Sequence, residues 1–153
     1  MSKEGRRIEE LVALVGAADH LVEVGAHDAR VTIAAIRAGV AHAIAIDRSA
    51  YGCALAGEAT RGLPIDVRQG EGLAAIAEHE ARGVLLIAGV GGPTIERILS
   101  SPLAARFDRW VLGPQTLVPS VRTFVERAGW HLVDERTVVD RGRRYVLLGA
   151  HKL

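Results

Sequence analysis

The fold is indicated most clearly by the stretch Leu86-Ile-Ala-Gly-Val-Gly-Gly-Pro-Thr-Ile95. This stretch joins an apolar strand to a glycine-rich turn and the start of a helix. The apolar residues up to Ala88 are typical of a strand that is buried on both faces. Three glycines then permit positive φ and the close approach of a ligand, and Pro93 is preorganised for the first turn of a helix. Such strand–turn–helix units build open α/β sheets, which bind ligands beyond the carboxyl ends of their strands.

The rest of the chain repeats this alternation of short apolar runs and longer periodic segments, which predicts a mostly parallel seven-stranded sheet with helices on both faces. The turn Asp140-Arg-Gly142 between the last two runs is a hairpin signal, so the sheet should end in an antiparallel hairpin. We predict strands over residues 20–24, 42–47, 65–68, 83–88, 109–112, 130–139 and 143–149. We predict helices over residues 31–38, 50–60, 72–80, 94–105 and 118–128, after an amphipathic helix that presents Ile8, Leu11, Val12 and Val15 on one face.

Length and composition indicate a single globular domain over residues 1–153. The chain has 49% hydrophobic and 24% charged residues, and 153 residues can bury a sizeable core. Its formal net charge is only +1, but residues 101–153 carry nine basic and five acidic side chains, against ten and thirteen in residues 1–100. This asymmetry is compatible with a face that binds a polyanion and also with an ordinary solvated surface.

The cysteine and histidine content excludes several kinds of site. Cys53 is the only cysteine, so the chain has no internal disulfide and no multi-cysteine metal site, as suits a reducing compartment. The histidines lack metal-ligand spacing, and we expect no metal. Because no apolar run is long enough to span a membrane and the charged start leads into no signal-peptide core, we expect no membrane association and a cytoplasmic protein.

Carboxylates follow the first two predicted strands at the spacing used by nucleotide-binding α/β folds. Glu23-Val-Gly25 ends the first strand, and Asp47 ends the second at about the offset of a ribose-binding carboxylate. Gly25 would let the backbone pass close to a ligand, Asp47 would accept the two ribose hydroxyls, and Glu23 would face a cationic aminoacyl arm. Asp47 could equally be a residue that caps a helix N-terminus.

The loop after the first strand argues against a dinucleotide. Gly25-Ala-His-Asp-Ala-Arg30 lacks two of the glycines in G-x-G-x-x-G, which disfavours binding of a pyrophosphate at the helix N-terminus. A ligand with one ribose and no phosphate fits better, and S-adenosylmethionine is such a ligand. Glu71, between two glycines after the third strand, could accept the adenine amino group, although the helix dipole alone also favours an acidic residue there.

Several motifs together resemble the bacterial tRNA adenine N1-methyltransferase family that modifies position 22, a group of class I S-adenosylmethionine-dependent enzymes. The resemblance covers nearly the whole chain, and its most specific motif is Ile87-Ala-Gly-Val-Gly-Gly92. It also includes Arg7-Ile8, Glu23-Val-Gly-Ala-His-Asp28, Arg68-Gln-Gly-Glu-Gly-Leu73, Gly113-Pro-Gln115, Val121-Arg-Thr-Phe-Val-Glu-Arg-Ala-Gly-Trp130 and Tyr145.

This resemblance implies a Rossmann-like methyltransferase fold and methylation of adenine N1 in tRNA. The attack of N1 on the methyl group makes the N6 proton acidic, and our candidate for the base that removes this proton is Asp28, with His27 as the alternative. The expected cofactor contacts are Glu23, Gly25, Ala26, Asp47, Arg48, Glu71, Gly72 and Ala88. The expected pocket for the target base is lined by Gly89, Val90, Gly91, Gly92 and Pro114.

The chain departs from the family pattern at three places, which leaves other functions open. His27-Asp28 replaces Asp-His, Gly113 and Gln115 replace the amides beside Pro114, and the sequence ends at Leu153, before the helical C-terminal extension of the family. One alternative is a noncatalytic cofactor-binding module or a subunit that needs a partner, which robust methyl transfer by the isolated chain would exclude. Another is a small-molecule methyltransferase, whose activity would be insensitive to salt, unlike RNA methylation.

Overall fold

The computed structural model describes residues 5–152, so residues 1–4 and 153 of the predicted domain lie outside the described residues. Seven strands form one sheet in the order β3-β2-β1-β4-β5-β7-β6. β1 to β5 are parallel, whereas β7 runs antiparallel to both β5 and β6. The strands are β1 (His20–Val24), β2 (His42–Asp47), β3 (Ile65–Gln69), β4 (Val84–Val90), β5 (Arg109–Pro114), β6 (Trp130–Asp140) and β7 (Arg143–Lys152).

Five helices cover the two faces of this sheet because alternate strand residues point to opposite sides. On one face, Leu21 of β1 packs in a cluster with Leu11 and Val31 of the first two helices. On the other face, Val22 packs in a cluster with Ile95 and Val121 of the last two helices. The helices are α1 (Arg6–Val15), α2 (Arg30–Arg37), α3 (Ala50–Ala59), α4 (Gly92–Leu99) and α5 (Val118–Arg127).

The predicted sheet, its parallel core and its terminal hairpin are confirmed, but two predicted helices are wrong in extent. Residues 72–80 form two short 3-10 turns, Gly72–Ala75 and Glu78–Glu80, and not one helix. α4 ends at Leu99, and a separate 3-10 turn follows at Ala104–Arg106. Tertiary contacts decide both cases, since Leu73 and Ala104 are each buried in the core and a continuous helix would turn other residues inward.

β4 extends two residues beyond its predicted end. Gly89 has φ 77° and the pairing with β5 shifts register between Ala88 and Val90, so a bulge carries the strand past the first glycine of the motif. The glycine-rich turn is therefore shorter than the sequence suggested. Among residues 5–152, no helix is both long enough and apolar enough to cross a membrane.

The tip of the β6–β7 hairpin is fixed against the start of α1. The Asp140 carboxylate accepts the backbone N–H of Arg7 at 3.1 Å, which satisfies one of the donors left unpaired in the first turn of the helix. Gly5 has no side chain here, and a Cβ would lie 2.9 Å from Asp140 Oδ2. The capping interaction joins residues 133 positions apart and holds the hairpin tip beside the carboxyl edge of the sheet.

Candidate functional site

A cavity of about 780 Å³ lies at the carboxyl ends of β1, β2 and β4. Its apolar part includes Ile46, Leu73 and Ile98, and two carboxylates, Asp47 and Glu71, lie at its lining. Of the predicted cofactor contacts, this cavity brings together Gly25, Asp47, Arg48, Glu71 and Gly72.

Asp47 holds the loop after β1 and still faces the cavity. Its Oδ2 accepts the backbone N–H of His27 at 2.7 Å, and its Oδ1 accepts that of Ser49 at 2.9 Å. His27 and Ala29 have positive φ of 51° and 63°, a costly conformation for residues other than glycine. Ser49 caps α3, and its hydroxyl accepts the backbone N–H of Gly52. Asp47 is therefore not the N-cap residue, although it accepts the backbone N–H of Ser49 just before the helix.

The segment that follows β3 is held by one guanidinium group. Arg68 donates to both oxygens of the Glu80 carboxylate at 2.7 and 2.6 Å, and to the carbonyl of Ala75 at 3.1 Å. These bonds lower the pKa of Glu80 to about 2. Because Glu71 and Gly72 lie in the segment between Arg68 and these partners, the clamp sets the wall of the cavity on the β3 side.

A second cavity of about 350 Å³ adjoins the first and shares Gly25, His27 and Gly89 with it. Glu23, predicted to face the cofactor, lines this second cavity and points toward α1 and α2. Glu23 is 3% exposed, and its carboxyl group accepts a hydrogen bond from the hydroxyl of Thr32. Burial raises the pKa of Glu23 to about 7, partly opposed by the Thr32 hydrogen bond and by the charge of Arg7.

The two candidate bases differ in their surroundings. Asp28 lines the second cavity only, whereas His27 lines both. Asp28 Oδ2 accepts from Arg30 Nε at 2.8 Å, and its Oδ1 lies 3.9 Å from His27 Nδ1. The His27 side chain is 61% exposed and that of Asp28 is 29% exposed. Asp28 is thus one of three carboxylates on the smaller cavity, with Glu23 and Asp140, and only one of its oxygens is bonded to Arg30.

Arg7 and Tyr145 also line the second cavity and contact each other. The Arg7 guanidinium lies 5.2 Å from the centre of the Tyr145 ring, a cation–π contact. An ideal Cβ on Gly89 would be 3.1 Å from Arg7 Nη2, so Arg7 reaches the boundary between the two cavities. Both residues belong to the motifs that resemble the family. Their contact joins the first helix to the last strand, so the spacing of residues along the sequence could not predict it.

The predicted pocket for the target base is only partly assembled. Gly89 lines both cavities and Val90 lines the larger one, whereas Gly91, Gly92 and Pro114 line neither. Gly92 instead donates its N–H to the Thr116 hydroxyl, and a Cβ on it would lie 2.6 Å from the Thr116 carbonyl oxygen. The last glycine of the motif thus serves close packing of α4 against the loop after β5.

The two remaining expected cofactor contacts lie on the smaller cavity. Ala26 and Ala88 line it with Gln115, one of the residues at which the chain departs from the family pattern. Gly113, the other departure beside Pro114, is buried in β5, where a Cβ would lie 2.9 Å from the Cβ of Ala88. Arg97 and Ile98 of α4 were not predicted, and their place on the larger cavity follows from the packing of α4.

The histidines and tryptophans take positions away from these cavities, His27 excepted. His20 and His42 stack with ring centres 5.2 Å apart at the first residues of β1 and β2, the opposite edge of the sheet. Trp110 and Trp130 stack at 3.7 Å in the core, as expected for structural residues. Within residues 5–152, no three histidine, cysteine, aspartate or glutamate side chains form a group suited to a metal ion.

The donor set of the larger cavity fits a nucleoside that carries a positive charge. Asp47 can still accept hydroxyl hydrogens, because each of its oxygens makes one hydrogen bond to the backbone and has a further acceptor site. The apolar residues provide a surface for a base, and the carboxylates favour a cation over a pyrophosphate. These properties match S-adenosylmethionine.

Comparison with known proteins places this geometry in a family. Residues 5–148 match the model of the methyltransferase domain family. No curated protein sequence matches the chain.

The most informative structural relative is a candidate tRNA (m1A22) methyltransferase of Streptococcus pneumoniae. It is 30% identical, with a TM-score of 0.89 over 99% of this chain and 70% of that chain. A structure of the same relative in complex with S-adenosyl-L-methionine is 29% identical, with a TM-score of 0.89 over 95% of this chain and 72% of that chain. The m1A22 tRNA methyltransferase of Bacillus subtilis, 24% identical, shares the fold, with a TM-score of 0.86 over 97% of this chain and 66% of that chain.

Proposed function

We propose, since this chain belongs to the methyltransferase domain family and within it to the tRNA (m1A22) methyltransferases, that it transfers a methyl group from S-adenosylmethionine to N1 of an adenine in tRNA. The observation that carries this proposal is the pair of adjoining cavities that share Gly25, His27 and Gly89. A donor in the larger cavity and a base in the smaller one would meet at this boundary.

The larger cavity supplies binding and orientation of the donor. Asp47 accepts the ribose hydroxyls, Glu71 accepts the adenine amino group, and the positive φ of Gly25 brings the backbone close to the ligand. S-adenosylmethionine, when bound, supplies an electrophilic methyl group on a sulfur that takes the electron pair of the breaking bond. Because such a transfer needs little acid–base chemistry, holding donor and acceptor in line is the main contribution of the chain.

Asp28 is the residue we assign to the proton step. The target adenine becomes positively charged when N1 takes the methyl group, and Asp28 accepts the proton that its N6 amino group then loses. The support is the position of Asp28 on the smaller cavity, with one oxygen bonded to Arg30 and the other 3.9 Å from His27 Nδ1. His27, exposed and sharing both cavities, is the alternative acceptor.

Methyl transfer by the purified chain tests the function. We would incubate it with methyl-labelled S-adenosylmethionine and unmodified tRNA, digest the RNA and identify the labelled nucleoside. We expect N1-methyladenosine, and a rate that falls by about 100-fold or more in Asp28→Asn, while Asp108→Asn, an exposed carboxylate beyond both cavities, leaves the rate unchanged. Failure of a folded sample to bind S-adenosylmethionine in calorimetry would refute the proposal. Label in small molecules alone would favour the small-molecule alternative.

The proposed compartment is the cytoplasm, where tRNA is available to such an enzyme. The single, half-buried Cys53 is compatible with a reducing environment.

A further inference from the structure

The surplus of positive charge in the last third of the chain is concentrated by the fold at one place. Within residues 5–152, five of its nine basic side chains have partners among carboxylates or carbonyls: Arg106, Arg109, Arg122, Arg136 and Lys152. The other four are Arg127, Arg141, Arg143 and Arg144, for which the described residues provide no ion pair or side-chain hydrogen bond. Three of these four belong to the tip of the β6–β7 hairpin.

The hairpin tip lies at the mouth of the smaller cavity. Arg141 lines this cavity together with Arg7 and Arg30. Arg143 shares the strand face of Tyr145, two residues further along β7, and Tyr145 also lines the cavity. Both arginines are exposed. The hydrogen bond from the backbone N–H of Arg7 to Asp140 fixes the tip in this position. It also occupies the carboxylate that precedes Arg141 in the chain.

Arg141 is not the type of residue that its backbone conformation in the turn favours. Arg141 has φ 52° and Gly142 has φ 79°, as in a two-residue hairpin turn with both central residues left-handed. Asparagine, aspartate or glycine is favoured at the first of these positions, and a long side chain there is costly. Such a cost at an exposed position beside a cavity is characteristic of functional sites.

We propose that Arg141 and Arg143 form a phosphate-binding surface for the RNA whose adenine enters the smaller cavity. This inference rests on the proposed function, and it adds the element that holds the substrate. Guanidinium groups bind phosphate through paired N–H donors. A nucleotide inserted into the cavity carries phosphates on both sides of its sugar, so cations at the mouth would contact the backbone next to the target base. Phosphate contacts of this kind position a nucleic acid without reading its sequence.

Direct binding of labelled, unmodified tRNA, measured by fluorescence anisotropy over a series of salt concentrations, tests this surface. The variants are Arg141→Asn, Arg143→Gln and the double substitution, and the matched control is Arg127→Gln, another exposed arginine without an ion pair in the described part of the chain. We expect the double variant to weaken tRNA binding by about tenfold or more at moderate salt. The slope of log K against log salt should decrease by about 2, roughly 1 for each lost phosphate contact.

Three controls separate tRNA binding at this surface from effects on folding, on cofactor binding and of net charge. Arg141→Asn should keep or raise the melting temperature, because asparagine suits the left-handed turn position better than arginine. The affinity for S-adenosylmethionine should be unchanged in every variant, since neither arginine lines the larger cavity. The Arg127→Gln control should stay within about twofold of the wild-type tRNA affinity if location, and not net charge alone, matters.

The outcomes distinguish this inference from the proposed function. It is overturned if the double variant binds tRNA like Arg127→Gln, or if the wild type shows no salt-dependent tRNA binding. If the hairpin variants lose tRNA affinity but the wild type does not methylate tRNA, the inference stands and the proposed function fails. If the wild type methylates tRNA and the double variant does so with unchanged KM, the function stands and the inference fails.

Discussion

At the scale of single residues, the buried carboxyl group of Glu23 is the most unusual feature. Glu23 is 3% exposed, and its carboxyl group accepts a hydrogen bond from the Thr32 hydroxyl. The pKa of this group is raised to about 7, so it is partly protonated near neutral pH. An acidic group with a raised pKa in the folded state binds protons there that the unfolded state has lost. The contribution of Glu23 to the free energy of unfolding is therefore complete below pH 4.5, the ordinary pKa of the group. It is lost as the pH rises from 4.5 through about 7.

Glu23→Gln tests this linkage because glutamine has no titratable group. Relative to this variant, the wild type should lose about 3 kcal/mol of unfolding free energy between pH 4.5 and 8, in the absence of ligand. Urea denaturation of both proteins at several pH values measures the difference. A pH-independent difference between them would show that Glu23 does not titrate in this range.

Asp47 has two roles that one substitution can separate. Its carboxylate accepts two backbone N–H groups and faces the larger cavity. Asp47→Asn keeps one acceptor oxygen, so we expect a modest loss of stability, about 1 kcal/mol, and a fall of about tenfold or more in the affinity for S-adenosylmethionine. Calorimetric titration and thermal denaturation measure the two effects, with Asp108→Asn as the control. Unchanged affinity would assign Asp47 to the loop alone.

At the scale of elements, the clamp formed by Arg68 controls the segment after β3. The two 3-10 turns make few backbone hydrogen bonds of their own, so the bonds from Arg68 to Glu80 and Ala75 hold the wall that carries Glu71. Since the pKa of Glu80 is lowered to about 2, its contribution to stability is complete above 4.5 and is lost as the pH falls toward 2.

Arg68→Met should release this segment while keeping an aliphatic side chain at this position. We expect faster hydrogen exchange over residues 72–80 and a weaker affinity for S-adenosylmethionine, by about tenfold, with the rest of the sheet unaffected. Hydrogen exchange read by mass spectrometry checks the first effect and calorimetry the second. The matched control is Arg61→Met, which removes an exposed pair with Glu58. Equal exchange in both variants would argue against the clamp.

At the scale of the whole molecule, donor binding should stabilise the fold, because the larger cavity is built from strands β1, β2 and β4 and helix α4 together. At a concentration of S-adenosylmethionine about 100 times its Kd, the gain is about 2.7 kcal/mol, or about 5–10 °C in melting temperature for a chain of this size. Differential scanning fluorimetry measures this shift. NAD should give no shift at the same concentration, since the loop after β1 lacks the glycines of a pyrophosphate site. A comparable shift with NAD would contradict the assignment.

The sequence alone was enough to predict the strands of the sheet and the edge of the sheet at which the site lies. The pattern of apolar residues predicted all seven strands. β1 and β4 are mostly hydrophobic because both of their faces are buried, whereas every second residue of β6 is exposed. The offset from Gly25 to Asp47 and the motif around Gly89 placed ligand-binding residues at the carboxyl edge of the sheet, where parallel strands necessarily end together. Local pattern suffices for these features because each depends on the chain within one strand–turn–helix unit.

Which residues share a cavity depends on tertiary contacts and could not be predicted from the sequence. Glu23 alternates away from the larger cavity, Gly92 packs against Thr116, and Arg7 meets Tyr145 across the whole length of the chain. The hairpin tip concentrates arginines that have no partner among residues 5–152, and this likewise depends on which other basic side chains find partners. These outcomes follow from contacts between segments distant in sequence, whose geometry is set by the packing of helices on the sheet and not by the period of any one segment.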